Sequence, residues 1–275
     1  YGGKLVFSSG EVMFSSTDLI RKDLSNSNFD YLIYPKEYGK RHNIISDDFN
    51  QILRKFTELR VVVIGDVMVD EYISCSALGM SQEDQTVVVS PLETQRFLGG
   101  AGIVAAHAAG LGASVNFISV TGNDECRNYV LNELESNGIA MCLLADESRP
   151  TTLKQRYQCD CKTLFRLSHL HQGSIENKLQ NEMLTEVIKA LDNCDLLVFS
   201  DFNYGCLPQK LVEQIVEKGK EKGVIMVADS QSSSQVGDVS RFKEMNLLTA
   251  TEREARVSLR NQEDGIVVLC EKLRH

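Results

Sequence analysis

The chain has 275 residues, 43% of them apolar, enough for one sizeable core or for one domain plus a piece of another. A net charge of -9 and an isoelectric point near 5.2, with Lys and Arg spread along the chain, leave no basic stripe for a nucleic-acid partner. The apolar runs at 61–64, 139–145 and 196–199 fall far short of the roughly 18 residues that span a bilayer, and no signal-peptide pattern opens the sequence.

In chain order, residues 1–7 read as a strand. Phe14-Ser15-Ser16-Thr17-Asp18 reads as a helix start whose hydroxyls cap free amides. A capped helix is the simpler reading, although hydroxyls crowded at a helix start can also hold phosphate. Residues 25–47 are polar and irregular and read as a linker with tyrosine anchors. Residues 49–56 place Phe49, Ile52, Leu53 and Phe56 at helical spacing.

Residues 59–64 form a β-branched run stopped by Gly65, the pattern of a buried parallel strand. Asp66 and Asp70 follow just past its carboxyl end, where open α/β sheets bind ligands. A carboxylate there can accept sugar hydroxyls, hold a metal or cap a turn, and the capping role suits Asp66 better than Asp70. Residues 72–97 alternate polar and apolar, as exposed antiparallel strands do. Gly99-Gly100 then reads as a tight turn into a helix of small side chains, which allows a close approach by a ligand or a sheet. His107 in that helix reads as a packed residue.

Strands at 115–120, 140–144, 196–199, 224–227 and 245–248 alternate with helices at 129–137, 177–191, 207–222 and 249–259. This predicts a parallel sheet covered on both faces. The alternating patches at 72–97 and 151–167 predict a small antiparallel sheet projecting as a lid. Asp201 and Asp229 end strands at the ligand edge, where they suit a ligand or a cap on the turn that follows.

Eight cysteines are scattered, and only Cys159-Asp160-Cys161 with His169 and His171 resembles a metal cluster. Reduced thiols in a cytoplasmic protein are the better reading. The chain opens at Tyr1 instead of Met and ends at His275 directly after a helical pattern. It therefore reads as a segment of a longer polypeptide.

As a set, Gly65-Asp66-Val67-Met68-Val69-Asp70-Glu71-Tyr72, Gly99-Gly100-Ala101-Gly102-Ile103-Val104-Ala105, Pro150-Thr151-Thr152 with Lys154 and Arg156, and Ser200-Asp201-Phe202 with Gly205 resemble the ribokinase-like (PfkB) carbohydrate kinases. The match is closest to the heptose-phosphate kinase part of bifunctional ADP-heptose synthases. The stretch around Ser15, Ser16 and Thr17 is similar to the phosphate-contacting helix near the end of cytidylyltransferase-like domains. The resemblance implies three parts: residues 1–24 as a nucleotidyltransferase tail, 25–57 as linker and short helix, and 58–275 as the first two-thirds of a sugar kinase domain. That domain would be an α/β parallel sheet flanked by helices, with a projecting β lid.

The resemblance also implies roles. Asp70, with Asp66 beside it, would hold sugar hydroxyls, and Gly99 and Gly100 would lie against the sugar. Lys154 and Arg156 would take a sugar phosphate. Asp201, Asp229 and Thr251 fall on the ATP side, and Glu254 would organise Mg²⁺ through water. ATP and Mg²⁺ are the implied cofactors, and a homodimer paired through its lids is the implied assembly.

Departures from the family pattern are equally plain. The sugar-binding Asn after Gly-Gly is Ile103, two cation positions hold Tyr204 and Gln231, and the Asn of Asn-x-x-Glu is Thr251. The Gly-Ala-Gly-Asp segment, source of the catalytic base, does not occur, and the resemblance places it beyond His275. Two readings follow: a sugar kinase, or a degraded kinase-like domain serving as a sugar-phosphate-binding or assembly module.

Overall fold

A computed structural model describes residues 41–43, 46–160, 162–231 and 237–274. The chain divides into two units, residues 1–50 and 51–275. The motif at Ser15, Ser16 and Thr17, and with it the nucleotidyltransferase reading of 1–24, lies outside the described residues.

Helix α1 spans Ser46–Lys55. The main sheet is built from β1 (Arg60–Gly65), β4 (Ser114–Thr121), β5 (Ala140–Ala145), β8 (Leu196–Asp201), β9 (Ile225–Ser230) and β10 (Leu247–Thr249). Their order is β10-β9-β8-β1-β4-β5, and every pairing is parallel. Strand β1 sits inside the sheet because its β-branched residues are apolar on both faces. Val62 and Ile64 face α4 (Asn177–Leu191) and α5 (Gln209–Glu221), where Met183, Val187, Leu211 and Ile215 are buried. Val61 and Val63 face the other way, onto Ala101 and Ala105 of α2 (Ala101–Gly110) and Val130 and Leu134 of α3 (Glu125–Ser136).

Helix α2 packs closely because its core-facing residues are small. A Cβ on Gly102 would come within 3.1 Å of both Leu98 and Val67. His107 is exposed, contrary to its expected packing. It lies in the last turn of the helix, away from the buried Ala101, Gly102 and Ala105.

The second sheet is the lid: β2 (Val67–Met80), β3 (Val87–Gly100), β6 (Thr152–Cys159) and β7 (Lys162–His169), in the order β3-β2-β6-β7. The two expected patches are joined edge to edge, but β2 and β6 run parallel, so the lid is mixed and not purely antiparallel. The chain passes from β1 into β2 with Asp66 alone between them. The expected glycine turn is also shorter than its sequence suggested. Gly99 and Gly100 still pair with Met68 and Val67, and Gly100 alone, at φ 57°, turns the chain into α2. A Cβ there would fall 2.2 Å from the Asp66 carbonyl oxygen.

Two boundaries move for capping reasons. Helix α3 starts at Glu125 because the Asp124 carboxylate accepts the Arg127 amide. Helix α6 (Glu252–Leu259) starts only at Glu252 because Thr251 and Glu254 form a capping box. Helix α7 (Ile266–Arg274) is the last described element.

Candidate active site

Strand carboxyl ends and the lid meet at Asp66. Its amide donates to the Ser200 carbonyl at 3.1 Å, and its own carbonyl accepts from the Ala101 amide at 2.9 Å. Its buried carboxylate accepts three more amides, those of Phe202 (2.8 Å), Tyr204 (3.3 Å) and Cys206 (3.1 Å). Both carboxylate oxygens are committed to the 201–206 loop, so the geometry gives Asp66 the loop-organising part of the two roles its position allowed. Burial first, and then the charge of Asp201, push this carboxyl above the ordinary carboxylate range, against the pull of the three amides.

The sign of the resulting pH dependence follows. A group whose pKa is raised on folding contributes stability that is present below its unfolded pKa, about 4 for an aspartate, and lost as pH rises through the folded value. The stability of the wild type relative to Asp66→Asn is therefore expected to be greater at pH 4 than at pH 7. Urea unfolding of both proteins across that range is the check, and a constant difference would refute it.

Asp201 is also buried. It forms an ion pair with Arg241 at 2.6 Å, accepts from the Ser230 hydroxyl at 2.7 Å, and its carbonyl accepts the Gln231 amide at 2.8 Å. Asp229, on the same edge, accepts the Thr249 hydroxyl at 2.7 Å. Glu254 is buried at the start of α6. One of its oxygens takes both the amide (2.8 Å) and the hydroxyl (2.7 Å) of Thr251. The replacement of Asn by Thr at 251 thus yields a well-formed helix cap.

Asp70 lies on the other side of the junction, on the lid face turned towards the 201–206 loop. Register places it beside Lys154, and Tyr72 beside Arg156. The Arg156 guanidinium stands 2.8 Å from Asp70 Oδ1 and 4.8 Å from the Tyr72 ring centre. Gly99 lies against Asp70, where a Cβ would fall 2.3 Å from Oδ2. The Lys154 ammonium sits over the rings of Phe202 (5.4 Å) and Tyr204 (5.1 Å), which stack at 6.4 Å beside Met68. Tyr204, at a family cation position, is a buried aromatic that supports a cation instead of supplying one. Asp70, Gly99, Gly100, Lys154 and Arg156 therefore converge, while Asp201, Asp229, Thr251 and Glu254 line the carboxyl edge of β8 to β10 and the start of α6.

The opposite lid face is an internal latch onto α3. Glu71, almost fully buried, accepts from Arg96 at 2.6 Å and from Gln155, and Arg96 also reaches Glu125 at 2.7 Å. Burial works to raise the Glu71 carboxyl, but the bonds from Gln155 and Arg96 outweigh it and hold it low. His169 lies 3.3 Å from Gln155. Among the described residues no group of three or more His, Cys, Asp or Glu is placed to hold a metal, and Cys161 lies outside them.

Two arginines matter that the sequence reading did not single out. Arg149 pairs with Asp146 at 2.7 Å and donates to the carbonyls of Tyr204 and Gly173, each at 3.0 Å. Arg241 joins Asp201 to the Leu207 carbonyl. Neither lies in a motif. The one hint for Arg149 is its place next to Pro150-Thr151-Thr152.

A lid over the carboxyl edge of a parallel α/β sheet, with a carboxylate and two cations on the lid face, defines a ribokinase-like fold. Solved structures agree. A carbohydrate kinase from Agrobacterium tumefaciens superposes at a TM-score of 0.59 with 17% identity, covering 78% of this chain and 66% of that one. An Arabidopsis thaliana ribokinase complexed with ribose and ATP gives 0.57 with 15% identity, covering 78% and 68%. The chain belongs to the pfkB family of carbohydrate kinases, whose model matches residues 58–275. The bifunctional protein HldE of Helicobacter hepaticus is 29% identical over 78% of this chain and 42% of its own length. HldE of Rhodopseudomonas palustris is 25% identical over 80% and 45%. The chain thus spans less than half the length of these curated relatives.

Proposed function

We propose that the protein is an ATP-dependent sugar kinase whose acceptor is a sugar or sugar phosphate of the heptose-phosphate kind, in a polypeptide that also carries a nucleotidyltransferase. One observation carries the reading: Asp70, backed by Gly99, shares a lid face with Lys154 and Arg156 at the mouth of the sheet. Asp70 accepts sugar hydroxyls, and the two cations attract an anionic group on the same molecule. Gly99 leaves room for close approach, and the lid excludes water.

Asp229 and Glu254 offer the carboxylate oxygens that Mg²⁺ takes directly or through water, and the Thr251 cap holds Glu254 in one orientation. Mg·ATP, when bound, supplies the phosphoryl group and the charge that offsets its transfer. Asp201, with Arg241, shapes the loop between the acceptor and nucleotide sides. The proton acceptor for the sugar hydroxyl is expected from a Gly-Ala-Gly-Asp segment, which the 275 residues do not contain.

The second reading is a binding module of the same fold. It is favoured by Tyr204, which buries a ring where the family has a cation, and by Gln231. ADP release by the intact protein from Mg·ATP, across heptose and hexose phosphates, decides between them. Turnover that Asp70→Ala abolishes establishes the kinase. Silence across the panel, with sugar phosphate still raising the melting temperature, establishes the module.

The lid also leads us to expect a homodimer. Its edge strand β7 is exposed along its whole length, with Leu164 and Phe165 half-exposed, and a bare strand edge invites pairing unless covered. Sedimentation is expected to show a dimer at micromolar concentration, and a monomer there would refute it.

A further inference from the structure

The outer face of the lid carries a charged row directly behind the acceptor residues. Register pairs Glu71 on β2 with Arg96 on β3 and with Gln155 on β6. Each Glu71 oxygen takes one of them. Oε1 accepts from the Arg96 Nε at 2.6 Å, and Oε2 accepts from the Gln155 amide. One carboxylate thus ties three neighbouring strands together at a single level. Side chains alternate between faces along a strand, and paired positions share a face. This level therefore lies between the inner-face level of Asp70 and Lys154 and that of Tyr72 and Arg156. Glu71 follows Asp70 in the chain, and Gln155 sits between Lys154 and Arg156.

The row is also anchored to the body of the domain. Arg96 reaches Glu125 at 2.7 Å, and its carbonyl accepts the Tyr129 hydroxyl at 2.8 Å. Both partners belong to α3. Asp124, which caps that helix, accepts the Thr151 amide at 2.7 Å, just ahead of β6. The start of α3 therefore grips β3 and β6, the strands on either side of β2. The inner face meets the body as well, where Lys154 lies over Phe202 and Tyr204. Any tilt of the lid shifts Asp70 and Lys154 against the 201–206 loop.

Stability alone is a weak reason for this arrangement. The Glu71 side chain is 5% exposed, and replacing a buried ion pair by apolar residues of similar volume is often neutral or stabilising. What a two-sided charged tie adds is a single geometry, because each bond is short and directional. We propose that Glu71 is a positioning residue: it ties β3 and β6 to β2 and, through Arg96, to α3, and so holds Asp70 and Lys154 where the acceptor needs them. The proposal rests on the reading of the inner face as the acceptor site. Glu71 lies on the other face and acts only through its neighbours.

Steady-state kinetics of the intact protein is the test, with Mg·ATP and whichever heptose or hexose phosphate turns over fastest. Glu71→Leu is expected to raise the acceptor KM about tenfold and to leave the Mg·ATP KM unchanged. That split separates positioning from stability. A protein that is only destabilised loses active molecules, which lowers kcat and moves neither KM. Arg96 keeps Glu125 in this variant, so its charge is not stranded. Glu71→Gln, which still offers Arg96 an oxygen, is expected to recover most of the acceptor KM. If Glu71→Leu fails to fold, Gln155→Leu carries the same readout, since it cuts the β6 tie and leaves the Glu71–Arg96 pair in place. An unchanged acceptor KM in the folded variant would overturn the proposal. So would an equal rise in the Mg·ATP KM, or no recovery with Glu71→Gln. Failure of the acceptor-site reading looks different: wild type is then silent across the sugar phosphates, or Asp70→Ala keeps wild-type turnover, and the proposal falls with it.

Discussion

Arg149→Met is expected to lower the unfolding free energy by about 3–5 kcal/mol, the usual cost of stranding one member of a buried ion pair. Both side chains of the Asp146–Arg149 pair are more than nine-tenths buried. Burial works to raise the Asp146 carboxyl, but the hydroxyl and amide of Ser148 and the Arg149 guanidinium together hold it low. Removing Arg149 strands that charge with Ser148 alone and leaves the carbonyls of Tyr204 and Gly173 without its N–H groups. At this chain length the loss corresponds to a fall in melting temperature of roughly 10 °C. Arg149→Lys keeps the charge but cannot reach three partners with one planar fork, so it should fall between the two. Thermal unfolding of the three proteins is the measurement, and a wild-type melting temperature for Arg149→Met would contradict the role. The effect extends to the site, because Arg149 holds the Tyr204 carbonyl of the same segment whose Phe202, Tyr204 and Cys206 amides Asp66 accepts, the segment that places Phe202 and Tyr204 under Lys154.

Gly99→Ala should do the reverse, harming the site more than the fold. Its new Cβ would fall 2.3 Å from Asp70 Oδ2 and 2.8 Å from Met68 Cγ. The carboxylate is the free end of a side chain and can rotate away, but Met68 is 1% exposed and its Cγ must also shift, so a cost of about 1–3 kcal/mol to stability accompanies the change. An acceptor carboxylate turned aside by about an ångström is a large loss, on the order of a hundredfold in kcat/KM. The intact protein is therefore expected to lose only about 5 °C of melting temperature while its sugar-phosphate kcat/KM collapses. A variant that lost both together would mean that Gly99 serves packing, and one that kept both would remove Asp70 from the acceptor site.

How far the sequence could be read follows from what each pattern encodes. Periodicity reported local physics, so the β-branched run at Arg60–Gly65, the small-residue helix and the alternating lid strands all lie near where their spacing put them. Boundaries slipped where a side chain caps a helix: Thr251 and Asp124 moved the ends of α6 and α3. The glycine turn shrank to Gly100 because pairing with β2 holds Gly99 in extended backbone. The motif residues did gather at one end of the sheet, and the capping role that suited Asp66 better than Asp70 agrees with the three loop amides it accepts, but which segments supply those amides was not legible. Asp66 and Asp70 look alike in sequence, four residues apart in one motif. The difference is that Asp66 sits where three loop amides point inward, while Asp70 lies on a lid face beside a guanidinium.

The sequence by itself determined the class of fold, the lid and the candidate residues, because these rest on spacing and residue type along a single segment. Tertiary structure turned the capping role that suited Asp66 into three loop amides on its carboxylate, set Asp70 on the lid face, and decided that Tyr204 supports Lys154. It also brought Arg149 and Arg241 into the site's framework and set Glu71 between Arg96 and Gln155. Each of these depends on contact between segments far apart in the chain, and so on strand order and register, which no local pattern carries.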